Sequence, residues 1–267
     1  MSDLALAARG WRDRRRARWS WLVGIVVYGI MMLSVFPAIE GSDEFADLAE
    51  SYPEALQALF GGAESFALIT TPAGFADTYV FSFMLPLMLM AMAGAAGASL
   101  LAGEDEGGQL ELVLSLPVER RRVVLEKCLV VATEVVLVTG AMVLVLLAGG
   151  PLVDLDLGVT HLLAAGVGSV LYGWVHGALA FLVGALVGRR SVALGVVVAV
   201  AVAGYLVSAL AELASWMAPA RYLSPLYHAN ADRPVANGLP LVNHLLLGAV
   251  VAGLVALAVW AFERHDL

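Results

Sequence analysis

Gly103-Glu104-Asp105-Glu106-Gly107-Gly108-Gln109-Leu110-Glu111-Leu112-Val113-Leu114-Ser115-Leu116-Pro117-Val118-Glu119-Arg120-Arg121-Arg122 is a polar interruption in an otherwise apolar chain, and Glu126-Lys127 follows it closely. It is too charged to enter lipid, and long apolar runs lie on both sides of it. Its middle carries an apolar set, Leu110, Leu112, Val113, Leu114 and Leu116, that stops at Pro117. A membrane protein with one short amphipathic segment on its basic side offers a soluble partner something to grip.

The runs around this stretch set the fold class. The chain has 267 residues, 61% hydrophobic and 14% charged, with a mean hydropathy of +0.86. A soluble domain carries about a quarter charged residues. The apolar excess recurs from residue 20 to residue 262, so it is not one signal segment. A spanning helix needs roughly 20 apolar residues. Six runs qualify, at about residues 20–39, 78–103, 128–153, 160–188, 191–211 and 239–262. The expected fold is an all-α integral membrane protein, with residues 1–267 forming a single transmembrane domain. Arg189-Arg190 alone separates the fourth and fifth runs, which forces an antiparallel hairpin.

Six spans put both termini on one side, and the basic residues choose the side. Six arginines precede the first span. Arg120, Arg121, Arg122 and Lys127 follow the second, Arg189 and Arg190 the fourth, and Arg264 the sixth. Only Arg221 and Arg233 of the 15 basic residues fall on the other face. Both termini and the 103–127 loop are therefore expected to be cytoplasmic, and the protein a multi-pass protein of the plasma membrane. The outer loop between spans one and two is acidic: Glu40, Asp43, Glu44, Asp47, Glu50, Glu54, Glu64 and Asp77. Within it Phe45, Leu48, Tyr52, Leu56, Leu59 and Phe60 suggest an amphipathic helix bent at Pro53. Leu4, Leu6, Trp11, Trp19 and Trp21 among the N-terminal arginines predict a second amphipathic helix, at the cytoplasmic interface. Membrane lipids satisfy such charges, so no nucleic-acid partner is expected.

Chemistry is sparse. A phosphate-binding loop needs a Gly-rich turn leading into Lys and then Ser or Thr. The single lysine, Lys127, follows Glu126 and precedes Cys128, so the chain is expected to bind no nucleotide. No His-Glu-x-x-His or Gly-x-Ser-x-Gly occurs, so no catalytic residue, metal or cofactor of its own is expected. One cysteine excludes an intrachain disulfide. Two polar residues inside spans are candidates for lining a translocation pathway. Glu134 lies about 10 Å past Lys127 by helical rise. It reads either as a pathway or gate residue, paired with an arginine of a neighbouring helix, or as a packing residue. His176 reads as a packing histidine, or else as a ligand or proton relay. Gly173 with Gly177, and Gly184 with Gly188, form small-xxx-small pairs for close helix approach. Pro86 predicts a kink in span two.

These residues resemble a family. The acidic pair, glycine, leucine–glutamate helix, Pro117-Val118-Glu119-Arg120 and Lys127 are similar to the cytoplasmic loop of ABC-2 type (type V) ABC transporter permeases. Leu223-Ser224-Pro225-Leu226-Tyr227-His228 and Asn237-Gly238-Leu239-Pro240 resemble that family's stretch before the last helix. The ending Phe262-Glu263-Arg264-His265-Asp266-Leu267 resembles its aromatic–x-Arg-Arg-Asp-Leu tail, with His265 where arginine is usual. Tyr52-Pro53-Glu54-Ala55-Leu56 through Leu59-Phe60-Gly61 is similar to one subgroup.

The resemblance implies a permease subunit of an exporter that has no ATPase site of its own. A separate ABC ATP-binding subunit would hold ATP and Mg, and a second permease copy, identical or related, would complete the path. It also implies that about Glu104–Leu116 is a coupling helix. That helix would contact the ATPase through Glu104, Asp105, Glu106, Leu110, Glu111, Leu112, Leu114, Leu116, Pro117 and Arg120. The alternative from the residues alone is an ion-driven secondary carrier using Glu134 and His176. An inverted repeat would favour that alternative, and none is convincing here.

Overall fold

The computed structural model describes residues 4–44, 47, 51–59 and 68–264. Phe45, Leu48, Glu50, Phe60 and Glu64 of the outer loop, and His265 with the rest of the tail, lie outside the described residues. The chain is all helical, with no strand among the described residues. Six helices are long and apolar enough to cross a membrane: Arg15–Ala38, Pro72–Glu106, Arg120–Leu152, Val159–Val187, Arg190–Ala211 and Leu241–Glu263. They are called spans one to six below. Backbone groups have no water to bond in hydrocarbon, so an apolar run of this length closes its own hydrogen bonds as a helix.

Spans two, three and four form the centre. Their most apolar windows are 67%, 50% and 61% buried, against 22% in spans one, five and six. Leu85, Leu89, Val135, Val138, Met142 and Phe181 are almost wholly buried between them. Lipid cannot drive helices together hydrophobically, so close approach has to come from small side chains. A Cβ on Gly97 would lie 2.7 Å from the Gly177 carbonyl oxygen and 2.9 Å from Ala180 Cβ. Gly173 faces Val135, and Gly184 faces Ala102. Gly188 acts differently from its expected packing role: at φ +65° it ends span four in the left-handed conformation that lets the chain turn into span five.

Span two departs from a regular helix where Pro86 was expected to kink it. Residues Ala76–Met84, just before the proline, form a π-helical stretch, and a second one covers Ser99–Gly103. A proline cannot donate to the preceding turn, and a widened turn accommodates that loss. Pro53 does not bend a helix; it stands just before a short one, Glu54–Leu59.

At the outer end, Ser215–Leu223 forms a 3-10 segment, followed by helices Pro225–Asn230 and Pro234–Asn237. Ser224 caps the first of these helices through the Tyr227 amide. This hairpin folds back onto the bundle. Ala229 packs its carbonyl over Gly168, and Asn230 donates to the Phe81 carbonyl and to Ser82 Oγ. His228 bridges Asn243 Oδ1 and the Tyr222 carbonyl. Asp77, read from sequence as an acid of the outer loop, instead lies buried in span two and pairs with Arg233 at 3.4 Å.

Gly97→Ala is expected to lower the melting temperature of the detergent-purified chain, because overpacking against backbone costs about 1–3 kcal/mol. Gly248→Ala, in an open helical position, serves as the control. Equal melting of the two variants would contradict this packing.

Candidate functional site

The polar groups of the basic end are assembled by spans two and three together with the N-terminal helix, Ala5–Asp13. This amphipathic helix forms as expected, with Ala7 and Gly10 on its buried side. It does not rest on lipid alone. Glu126, 5% exposed, accepts hydrogen bonds from the backbone N–H groups of Leu6 and Ala7, both at 2.9 Å. The first N–H groups of a helix have no partner within it, and its N-terminus carries partial positive charge. A carboxylate from span three supplies both needs. Arg122 holds the other Glu126 oxygen at 2.7 Å.

About two turns further along span three, Arg14 approaches Glu134 at 3.0 and 3.2 Å, and Arg18 stands at 3.7 Å. Arg18 also donates to the Trp11 carbonyl and lies over the Trp11 ring at 3.7 Å. Glu134 is 1% exposed. Of the six N-terminal arginines expected at the lipid surface, Arg14 and Arg18 therefore turn inward to pair with a buried acid. Burying a lone carboxylate in a span is costly, and paired guanidinium groups relieve that cost. Of the two sequence readings of Glu134, as a pathway or gate residue paired with an arginine or as a packing residue, only the first included an arginine partner. The ion pairs with Arg14 and Arg18 tie the N-terminal segment to span three.

His176 lies elsewhere. It is fully buried in span four, hydrogen-bonded through Nδ1 to the Tyr172 carbonyl and lying against the Tyr172 ring at a tilt of 49°. Among the described residues no hydrogen bond or ion pair joins it to Glu134.

The interruption itself differs from the single rod expected over Glu104–Leu116. Glu104–Glu106 is the last turn of span two. Gly108, at φ +67°, breaks the chain there, and a separate helix covers only Gln109–Leu114. The three acids thus sit at a helix C-terminus, where the dipole disfavours them. Neighbours answer for this: Lys127 reaches Glu104 at 2.6 Å and the Leu100 carbonyl at 2.5 Å. Glu106 accepts the backbone N–H of Arg190 at the start of span five, a favourable N-terminus. Glu104 and Glu106 thus each make a tie within this chain. Asp105 is partly buried beside them.

Within Gln109–Leu114 a spacing of two separates faces. Leu110 is fully buried and Val113 nearly so. Both belong to the core cluster that holds Leu101, Val123 and Val124. Leu112 is 72% exposed and Leu116 47%, with Glu111 and Pro117 also outward and Leu114 between the two faces. Leu110 therefore faces the core. Arg120 donates to the Phe262 carbonyl at the end of span six, which ties the loop to that helix's negative end. Val113, Glu126 and the Glu104–Lys127 pair were missed as working residues. The one available signal was a Glu-Lys pair placed where an apolar run begins.

Six spans, with buried ion pairs gathered at one end beneath an exposed leucine pair, define an integral, multi-pass membrane protein with a projecting loop. The chain belongs to the ABC-2 family transporter proteins, whose family model matches residues 4–267. Among curated proteins, none matches it closely enough to count as a relative.

Glu134→Leu would leave Arg14 and Arg18 without their acid, and breaking a buried pair from one side costs about 3–5 kcal/mol. The expected outcome is release of the N-terminal helix, seen as faster trypsin cleavage after Arg9, Arg12 and Arg14. Unchanged cleavage would show that the ion pair does not retain the helix.

Proposed function

We propose that this chain is the permease subunit of an ABC exporter. A separate ATP-binding subunit hydrolyses ATP with Mg, and this chain converts that motion into substrate passage across the plasma membrane. A second permease copy completes the pathway. Family membership supports this reading, and so does the charge sorting. The N-terminal tail, the 103–127 loop, the Arg189-Arg190 turn and Arg264 hold all but two of the basic residues, which supports a cytoplasmic location for that end.

The observation that carries the proposal is the split helix at that end. Leu112 within the short helix and Leu116 just past its end are both exposed, in a segment too charged to be covered by lipid. Exposed leucines in such a place suit burial in the groove of a soluble partner. Glu111 and Pro117 border the pair. The reading assigns the contact to this outward face, and assigns Glu104, Glu106, Leu110 and Arg120 to holding the helix in place. The ATPase thus pushes on a short element whose inner face is already packed against spans two and three.

Co-purification tests it. Leu112→Asp with Leu116→Asp is expected to abolish co-purification of the ATP-binding subunit and leave the melting temperature near that of the unaltered chain. Leu110→Asp is expected to lower the melting temperature instead, since an unpaired carboxylate would replace a fully buried leucine. Retention of the ATPase by the outward double variant would sink the proposal.

A further inference from the structure

Spans three, four and six leave a lateral recess of 260 Å³ in the half of the bundle nearest the basic end. Its walls are apolar: Leu125 and Leu129 of span three, Trp174 and Phe181 of span four, Val251 and Val255 of span six. The Trp174 indole N–H is taken up by the Ala132 carbonyl at 3.1 Å, so the tryptophan offers the recess only its ring face and edge. A water would find few partners there, whereas a hydrocarbon chain would find contacts on three sides. From Leu125 to Ala132 the slot runs about 10 Å along span three. It is too small for another helix, which is about 10–12 Å across with its side chains.

Helical phase brings a charge toward the basic end of this slot, one turn before its first lining residue. Arg121 precedes Leu125 by four residues, Cys128 by seven and Ala132 by eleven, so it lies on the same stripe of the helix. Its two neighbours are engaged elsewhere: Arg120 on the Phe262 carbonyl, Arg122 on Glu126. Arg121 is exposed and has no ion-pair partner among the described residues. An apolar slot inside the bilayer with a guanidinium at its surface end matches a lipid that has one chain to insert and a phosphate to present.

We infer that the recess between spans three, four and six binds one anionic phospholipid of the leaflet on the basic side, with an acyl chain along Leu125–Ala132 and its phosphate on Arg121. The site is separate from the exposed leucine pair and does not depend on the partnership with an ATPase. Binding ties spans three, four and six together in the half of the bundle nearest the basic end, and the lipid is held as a fitted component, distinct from bulk solvent. The headgroup contact weakens as salt rises, because it sits at the aqueous surface.

The test counts lipids. The full chain in detergent is titrated with phosphatidylglycerol or with phosphatidylcholine of the same acyl chains, and native mass spectrometry records the lipids retained per chain. The unaltered chain is expected to retain one phosphatidylglycerol with a preference of roughly fivefold, the increment typical of one basic residue near a membrane surface. Arg121→Gln should bring that preference close to one. Cys128→Phe, which fills the recess, should remove retention of both lipids; Ala132→Phe is the second filling variant should the first fail to fold. Equal retention of the two lipids by the unaltered chain would overturn the headgroup assignment. Undiminished retention in a folded filling variant would overturn the site. A filling variant that changes the number of chains per particle, with lipid count unaltered, would also overturn it and mark the recess as a contact between copies.

Discussion

The interior of a bilayer gives a charge nothing to bond, so every ionic group that enters this bundle has to bring its partner along. Span three carries that constraint most heavily. Its first five turns hold Glu126, Lys127 and Glu134, each at most 5% exposed. Each is answered from a different part of the chain: the helix Ala5–Asp13, the end of span two, and Arg14 with Arg18. Without these ties the N-terminal helix would have only Ala7, Gly10 and a few partly covered side chains to keep it on the bundle. With them, the tail, two spans and the loop form one connected piece, while spans one, five and six lie mostly against their surroundings.

The same logic governs the far end more lightly. Asp77 and Arg233 pair across from span two to the hairpin between spans five and six. Asn230 and His228 add neutral hydrogen bonds to the same join. Arg233 and Asp232 adopt positive φ there, which non-glycine residues rarely do. The outer hairpin is therefore held by specific bonds in addition to packing, with the Ala229 carbonyl resting where Gly168 leaves room.

Much of this was legible in the residues. Run length alone separates six helices, because an apolar stretch of that size has no other way to satisfy its backbone. The sorting of Lys and Arg, and the hairpin at Arg189-Arg190, follow equally directly. Side-chain pairing did not. Glu126 meets amides 119 and 120 residues away, and nothing in its own neighbourhood indicates that. The loop was misread for a local reason. About Glu104–Leu116 was expected as one helix, yet left-handed Gly108 ends one helix and starts another, moving three acids from an N-terminus to a C-terminus. Leu110 and Leu112 were grouped as one stripe although a step of two residues carries them to opposite sides.

That glycine joint has a mechanical corollary. Two residues without Cβ atoms transmit twist poorly, so a displacement of Leu112 cannot reach span two as torque along a continuous rod. It can arrive only as compression, delivered through Leu110 and Val113 into the packed ends beneath them. A segment pressed there would act as a button, with the response of the bundle set by how stiffly its floor is braced.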